Sequence, residues 1–170
     1  AIAIASEPGF DWQEIDTITV DTYGAAAKLT NRDIYTPLSA RMSVPYCVAN
    51  ALVKQKANTE EFSYDSIRDD RVQGLLKKVH VRLDPEMQKT VPQERPGGVT
   101  VRFKSGKTVY KETRLPYGEL EHPVSDADLS GKFRDLAEPV IGRGGADILL
   151  EQIWNLETIP DLAALEPKLM

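Results

Sequence analysis

The chain has 170 residues, 41% hydrophobic and 28% charged, with 26 acidic against 21 basic side chains. That is enough chain for one domain with a real core, and the balance is that of an ordinary soluble globular protein. A net charge of -5 without any basic, aromatic-interleaved stripe argues against nucleic acid, and no apolar run approaches the ~20 residues that span a bilayer.

Residues 1–6 (Ala-Ile-Ala-Ile-Ala-Ser) are apolar, too short for a signal peptide, and read as the tail of a helix or strand of a longer protein. Glu7-Pro8-Gly9 is a turn signal. Ile15 to Tyr23 reads as a strand with Ile18 and Val20 on one face. Small and polar residues connect it to Pro37, which leads into an apolar helix starting near Ser43, with Pro45 in its first turn. Thr59 to Ile67 is a short helix with Thr59 as cap and Phe62 and Ile67 inward. Asp70 with Gln73 has the spacing of a capping box for an amphipathic helix through Val72, Leu75, Leu76 and Val79. The period then changes to two over Val79, Val81 and Leu83, a strand that Pro85 ends. Glu86 to Gly98 is an irregular excursion. Val99, Val101 and Phe103 with Thr108 to Arg114 form a hairpin around Ser105-Gly106. Leu115 to Val124 is a loop. Ser125 caps a helix carrying Leu129, Phe133 and Leu136, which Pro139 weakens or ends. Gly142 to Gly145 is a joint, followed by a helix over 146–156 and a last short one over 161–165. The layout is α+β, with a small, mainly antiparallel sheet packed with helices: residues 1–124 as one domain, 125–170 as a helical segment.

Few residues have the placement that chemistry needs. His80 lies on the polar face of a strand, and His122 sits in a loop, where a loop-ordering contact accounts for it. Neither has the neighbours of a metal site. Cys47, the only cysteine, excludes an intrachain disulfide and fits a reducing, cytoplasmic compartment; a buried small hydrophobe is its simplest role. Gly142 to Gly145 lacks the Lys-Ser/Thr of a phosphate loop. One cluster remains, at the start of the helix that begins near Ser43. Arg41, Ser43, Tyr46 and the free N–H groups of Tyr46 and Cys47 would face a small carboxylate or phosphate. The alternative is an ordinary buried helix whose Arg41 pairs with a local acid. The cluster has no general base, so it is half a site.

Four blocks, in order, resemble the C-terminal region of the MmgE/PrpD family. They are Ser-Ala-Arg-Met-Ser-Val-Pro-Tyr-Cys-Val-Ala-Asn-Ala-Leu over 39–52, Arg-Val-Gln-Gly-Leu-Leu-Lys-Lys-Val-His-Val over 71–81 with Asp84-Pro85, Val-Thr-Val-Arg-Phe-Lys-Ser-Gly-Lys-Thr over 99–108, and Gly-Glu-Leu-Glu-His-Pro-Val-Ser-Asp-Ala-Asp-Leu-Ser-Gly-Lys-Phe over 118–133. The family holds 2-methylcitrate dehydratases, cis-aconitate decarboxylases and iminodisuccinate epimerases. The resemblance implies an α/β lid whose partner, an N-terminal helical domain or subunit, supplies histidine and lysine across a cleft. It further implies catalysis assisted by Tyr46, carboxylate binding by Arg41 and Ser43, and no metal or organic cofactor. The Asp-Arg-Asp-His-Cys wording of methylcitrate dehydratases is absent. Two functions follow. One is the lid of a lyase or isomerase acting on small di- or tricarboxylic acids, homo-oligomeric and inactive alone. The other is a non-catalytic binding or oligomerisation module.

Overall fold

The computed structural model describes residues 1–163 and divides into two compact units, Ala1–Pro116 and Tyr117 onward. The division falls inside the loop expected over 115–124. The first unit is built on four strands: β1 (Ile15–Thr22), β2 (Val79–Leu83), β3 (Gly97–Phe103) and β4 (Thr108–Thr113). Their order is β2-β1-β3-β4. β1 pairs in parallel with β2 and antiparallel with β3, and β3 pairs antiparallel with β4. The sheet is therefore mixed. Its one parallel pairing requires a long crossover, which here carries most of the helices.

Alternation along the strands decides which face is covered. Val79, Ile18, Val101 and Val109 stand side by side across the sheet, as do Val81, Val20 and Val99. These rows meet α4 (Val44–Lys54) and α6 (Asp70–Leu76), whose Val48, Leu52, Val72, Leu75 and Leu76 complete the core. The short α1 (Ile2–Ala5) adds Ile4 and Ala5 beside α4. The opposite rows are polar: His80, Thr19, Thr100 and Tyr110 in one, Arg82, Asp21, Gly98 and Glu112 in the next. Arg82 pairs with Asp21 and Arg102 with Asp16 on this open face, which suits a sheet with one side in water.

The Tyr110 ring crosses Gly98: a Cβ there would lie 2.5 Å from the tyrosine oxygen. That hydroxyl donates to Glu112 at 2.6 Å. The bond to a carboxylate, then burial, push the Tyr110 phenol up to about 12. Glu112→Gln should therefore bring this phenol back toward the ordinary ~10. A spectrophotometric titration compared with Tyr110→Phe reads it.

Several boundaries differ from the sequence expectation for identifiable reasons. Thr59 makes no cap bond; residues 59–67 split into a 3-10 turn (Glu60–Phe62) and α5 (Tyr64–Ile67), capped by Ser63. The cap of α6 is Asp69, one residue before the expected Asp70, with its carboxylate accepting from Arg71 N–H. The connection from β1 to α4 contains α2 (Gly24–Ala27) and α3 (Pro37–Arg41). The excursion expected over 86–98 opens with α7 (Pro85–Lys89), for which Asp84 supplies the cap and Pro85 the first position.

In the second unit, α8 (Asp126–Trp154) runs through Pro139 and breaks at Gly142, whose φ of 70° and ψ of 161° are non-helical. A proline removes one hydrogen bond but can be carried with a kink, whereas that backbone geometry favours glycine. Residues 143–154 are helical beyond the break, so the expected joint over 142–145 narrows to one residue. The loop before α8 is ordered by His122, whose ring packs at a tilt of 57° against Tyr117 with centroids 5.1 Å apart, while the Tyr117 hydroxyl donates to Asp128. Of the last helix expected over 161–165, residues 161–163 are described and 164–165 lie outside the described residues. No helix among the described residues is long and apolar enough to cross a membrane.

Candidate functional site

Ser43 caps α4 as expected, and Pro45 sits in its first turn. The donors at that helix start are nonetheless spent. The Val44 N–H goes to the Leu29 carbonyl, the Tyr46 N–H to Ser43 Oγ, and the Cys47 N–H to the Ser43 carbonyl. Ser43 is fully buried, and its own hydroxyl donates to the Asn31 carbonyl. Here the expectation of a helix N-terminus open to an anion is corrected: a cap, a proline and a neighbouring strand of chain satisfy the groups that would bind one.

Tyr46 is likewise sealed. Its side chain is 0% exposed, and its hydroxyl donates to the Glu61 carbonyl at 2.8 Å. Burial first, then the negative charge of Cys47, Asp69 and Glu61, push the phenol up to about 12. At neutral pH it stays protonated and cannot serve as a base. In this arrangement Tyr46 bridges α4 to the 3-10 turn rather than lining an opening. Cys47 follows the same logic: burial raises its thiol above the ordinary value, so it is not an activated nucleophile.

Arg41 is the member of the cluster that faces outward. It ends α3, is exposed, and makes no ion pair among the described residues. Its guanidinium carbon lies 5.8 Å from the centroid of the Phe62 ring, and Phe62 in turn packs on Tyr46 at 5.8 Å with the rings tilted by 52°. Thus the local acid expected in the alternative reading is replaced by an aromatic face. Leu38, Met42 and Tyr64 are exposed on the same elements, α3 with its C-cap and α5, which pack together. Phe62 was legible only as an inward residue of a short helix. Its contact with Arg41, 21 positions earlier in the chain, leaves no mark in local periodicity.

A charged clamp joins α4 to α6. Asp69 accepts from Lys54 Nζ at 2.6 Å and Arg71 at 2.7 Å, tying the end of α4 to the start of α6. The Arg71 hydrogen bond, opposed by burial and reinforced by Lys54, holds its carboxyl well below the usual carboxylate range. Among the described residues no group of three or more His, Cys, Asp or Glu side chains is placed to hold a metal ion. The contacts of Arg41 and Tyr46 described above include no histidine, and His80 lies on the open face of the sheet.

Residues 1–157 match the MmgE/PrpD C-terminal domain. Relatives include the cis-aconitate decarboxylase of Mus musculus, 27% identical over 129 residues, covering 74% of this chain and 26% of that protein. The Homo sapiens cis-aconitate decarboxylase is 27% identical over 128 residues, covering 74% and 26%. The cis-aconitate decarboxylase-like protein oryM of Aspergillus oryzae is 27% identical over 131 residues, covering 76% and 27%. The chain therefore spans about a quarter of the length of the curated relatives it matches. With a match over nearly its whole described length, the chain belongs to the MmgE/PrpD family, as a C-terminal domain.

Proposed function

We propose that this chain is one wall of the active site in an MmgE/PrpD-type lyase or isomerase acting on small di- or tricarboxylic acids. Dehydration, decarboxylation and epimerisation next to a carboxylate are the reactions in view; the similarity to cis-aconitate decarboxylases supports the second most directly. The observation that carries the reading is the exposed Arg41 guanidinium, with no acid of the described residues to neutralise it, on a family-matched surface. Arg41 pairs with a substrate carboxylate, while Ser43 and Tyr46 hold the framework from which it projects. The proton-moving groups come from an N-terminal helical domain or subunit. No metal or organic cofactor is required, because proton abstraction next to a carboxylate and departure of hydroxide or carbon dioxide need only positioned acids and bases. The catalytic role expected for Tyr46 reduces, in this proposal, to a hydrogen-bonded strut.

The test uses the chain alone and joined to a helical partner. Purified alone, it should show no turnover of cis-aconitate, and activity should appear only in the intact enzyme. There, Arg41→Gln should raise KM by roughly tenfold, the size expected for losing one charge-assisted hydrogen-bond pair. Turnover by the isolated chain, or an unchanged KM, overturns the assignment.

A second reading has its own support in α8. Leu129, Phe133, Leu136, Leu150, Ile153 and Trp154, together with Lys132, line a mostly apolar groove of about 420 Å³. Such a groove fits a binding or homo-oligomerisation module without chemistry. A concentration-dependent dimer in sedimentation, together with an intact but inactive full-length protein, would favour it.

A further inference from the structure

The Arg41 side chain poses a problem that the family match does not answer. A solvent-exposed arginine carries several freely rotating bonds, and ordering it on binding a carboxylate costs affinity. Here the guanidinium is not free. It rests over the Phe62 ring at 5.8 Å, within the range of a cation–aromatic attraction.

The ring is itself braced. Phe62 is half-buried and packs against Tyr46, which is fully buried. The turn that carries Phe62 is tied down twice. Tyr46 donates to the Glu61 carbonyl, and the Glu61 carboxylate accepts from the Asn58 N–H at 2.8 Å. A buried acid spent on its own loop, and a buried tyrosine spent on the next carbonyl, make a rigid platform. Other arginines of this unit, Arg71, Arg82 and Arg114, are held by carboxylates that would compete with an acidic ligand. An aromatic face instead orients a guanidinium while leaving its edge N–H groups free for a carboxylate.

We propose that Phe62 is a positioning residue: its ring, braced on Tyr46 and the Glu61 turn, holds the Arg41 guanidinium ready to pair with a carboxylate of a small di- or tricarboxylic acid. The proposal rests on the reading of Arg41 given above, and the two fail differently.

The experiment is an NMR titration of the 170-residue chain with tricarballylate, following the Arg41 Nε–Hε resonance. In the unmodified chain that resonance should be displaced upfield by the Phe62 ring current and should move on titration. Phe62→Leu should abolish the displacement and weaken binding about threefold, the scale of an exposed cation–aromatic contact. Phe62→Tyr should restore both. Phe62→Met is measured in parallel and should behave as Leu, so a folding defect in one variant does not remove the comparison. Core amide shifts report folding throughout. Tricarballylate affinity unchanged in Phe62→Leu and Phe62→Met, but lost in Arg41→Gln, overturns the positioning role and leaves Arg41 as the carboxylate contact. An Arg41 resonance indifferent to tricarballylate in the unmodified chain overturns both.

Discussion

Replacing Tyr46 by alanine is expected to destabilise the first unit by about 3–5 kcal/mol, the usual cost of emptying a fully buried aromatic site. That is a large share of the stability of a domain this size, so the variant should be substantially unfolded at room temperature or in mild urea. Three observations set the magnitude: the ring has no exposed surface, it packs on Phe62, and its hydroxyl is the hydrogen-bond partner of the Glu61 carbonyl. Tyr46→Phe separates the parts. It keeps the ring and strands the carbonyl, for a loss of roughly 1–2 kcal/mol. Urea midpoints with unchanged slopes would read both values. In the intact enzyme, Tyr46→Phe should keep most of its turnover per folded molecule. A variant with an unchanged midpoint and sharply reduced turnover would instead return Tyr46 to the chemistry.

The burial of this tyrosine was legible in part. α4 is apolar on nearly every face: Pro45, Val48, Ala49, Ala51 and Leu52 surround it, and only a helix packed on all sides reads that way. Tyr46 lies four positions before Asn50 and so shares a face with another fully buried residue. The neighbouring Arg41 and the Ser43 cap carry, in the sequence, the pattern of an open helix start. What local pattern cannot show is that the donors at that start are taken by the Leu29 carbonyl and by Ser43 itself.

The strands were easier, because alternation of Val and Ile with Thr, Asp and Arg leaves one solution once a face is covered. Their pairing was not. That β2 lies beside β1 in parallel depends on the crossover through α4 and α6, a contact between residues some sixty positions apart, such as Ile18 and Val79. Short helices were missed where proline masked a cap. Asp84-Pro85-Glu86 is a helix start, yet the prolines at 92 and 96 made the whole stretch read as irregular. Arg41 and Phe62 show the remaining gap. Each was named, on different grounds, but the pairing that gives them a joint role comes from α3 meeting the 3-10 turn in space.

Asp69→Ala is expected to cost about 2 kcal/mol, and the loss should carry a pH signature. This carboxylate caps α6, pairs with Arg71, and receives Lys54 from the last turn of α4; its side chain is 12% exposed, so solvent screens it little. Its folded pKa lies below the ordinary value of about 3.9, chiefly through the Arg71 hydrogen bond. The unfolded state therefore binds the proton more readily. The stabilisation is complete above the unfolded pKa and declines as pH falls from about 5 downward, toward the folded pKa. Asp69→Asn is the informative partner, because asparagine can still cap a helix but cannot titrate or form the ion pairs. Urea midpoints from pH 7 to pH 3 should fall steeply in the unmodified chain and less steeply in Asp69→Asn. Equal slopes in the two would show that the clamp between α4 and α6 does not depend on this charge, and the acid sensitivity would then belong to other carboxylates.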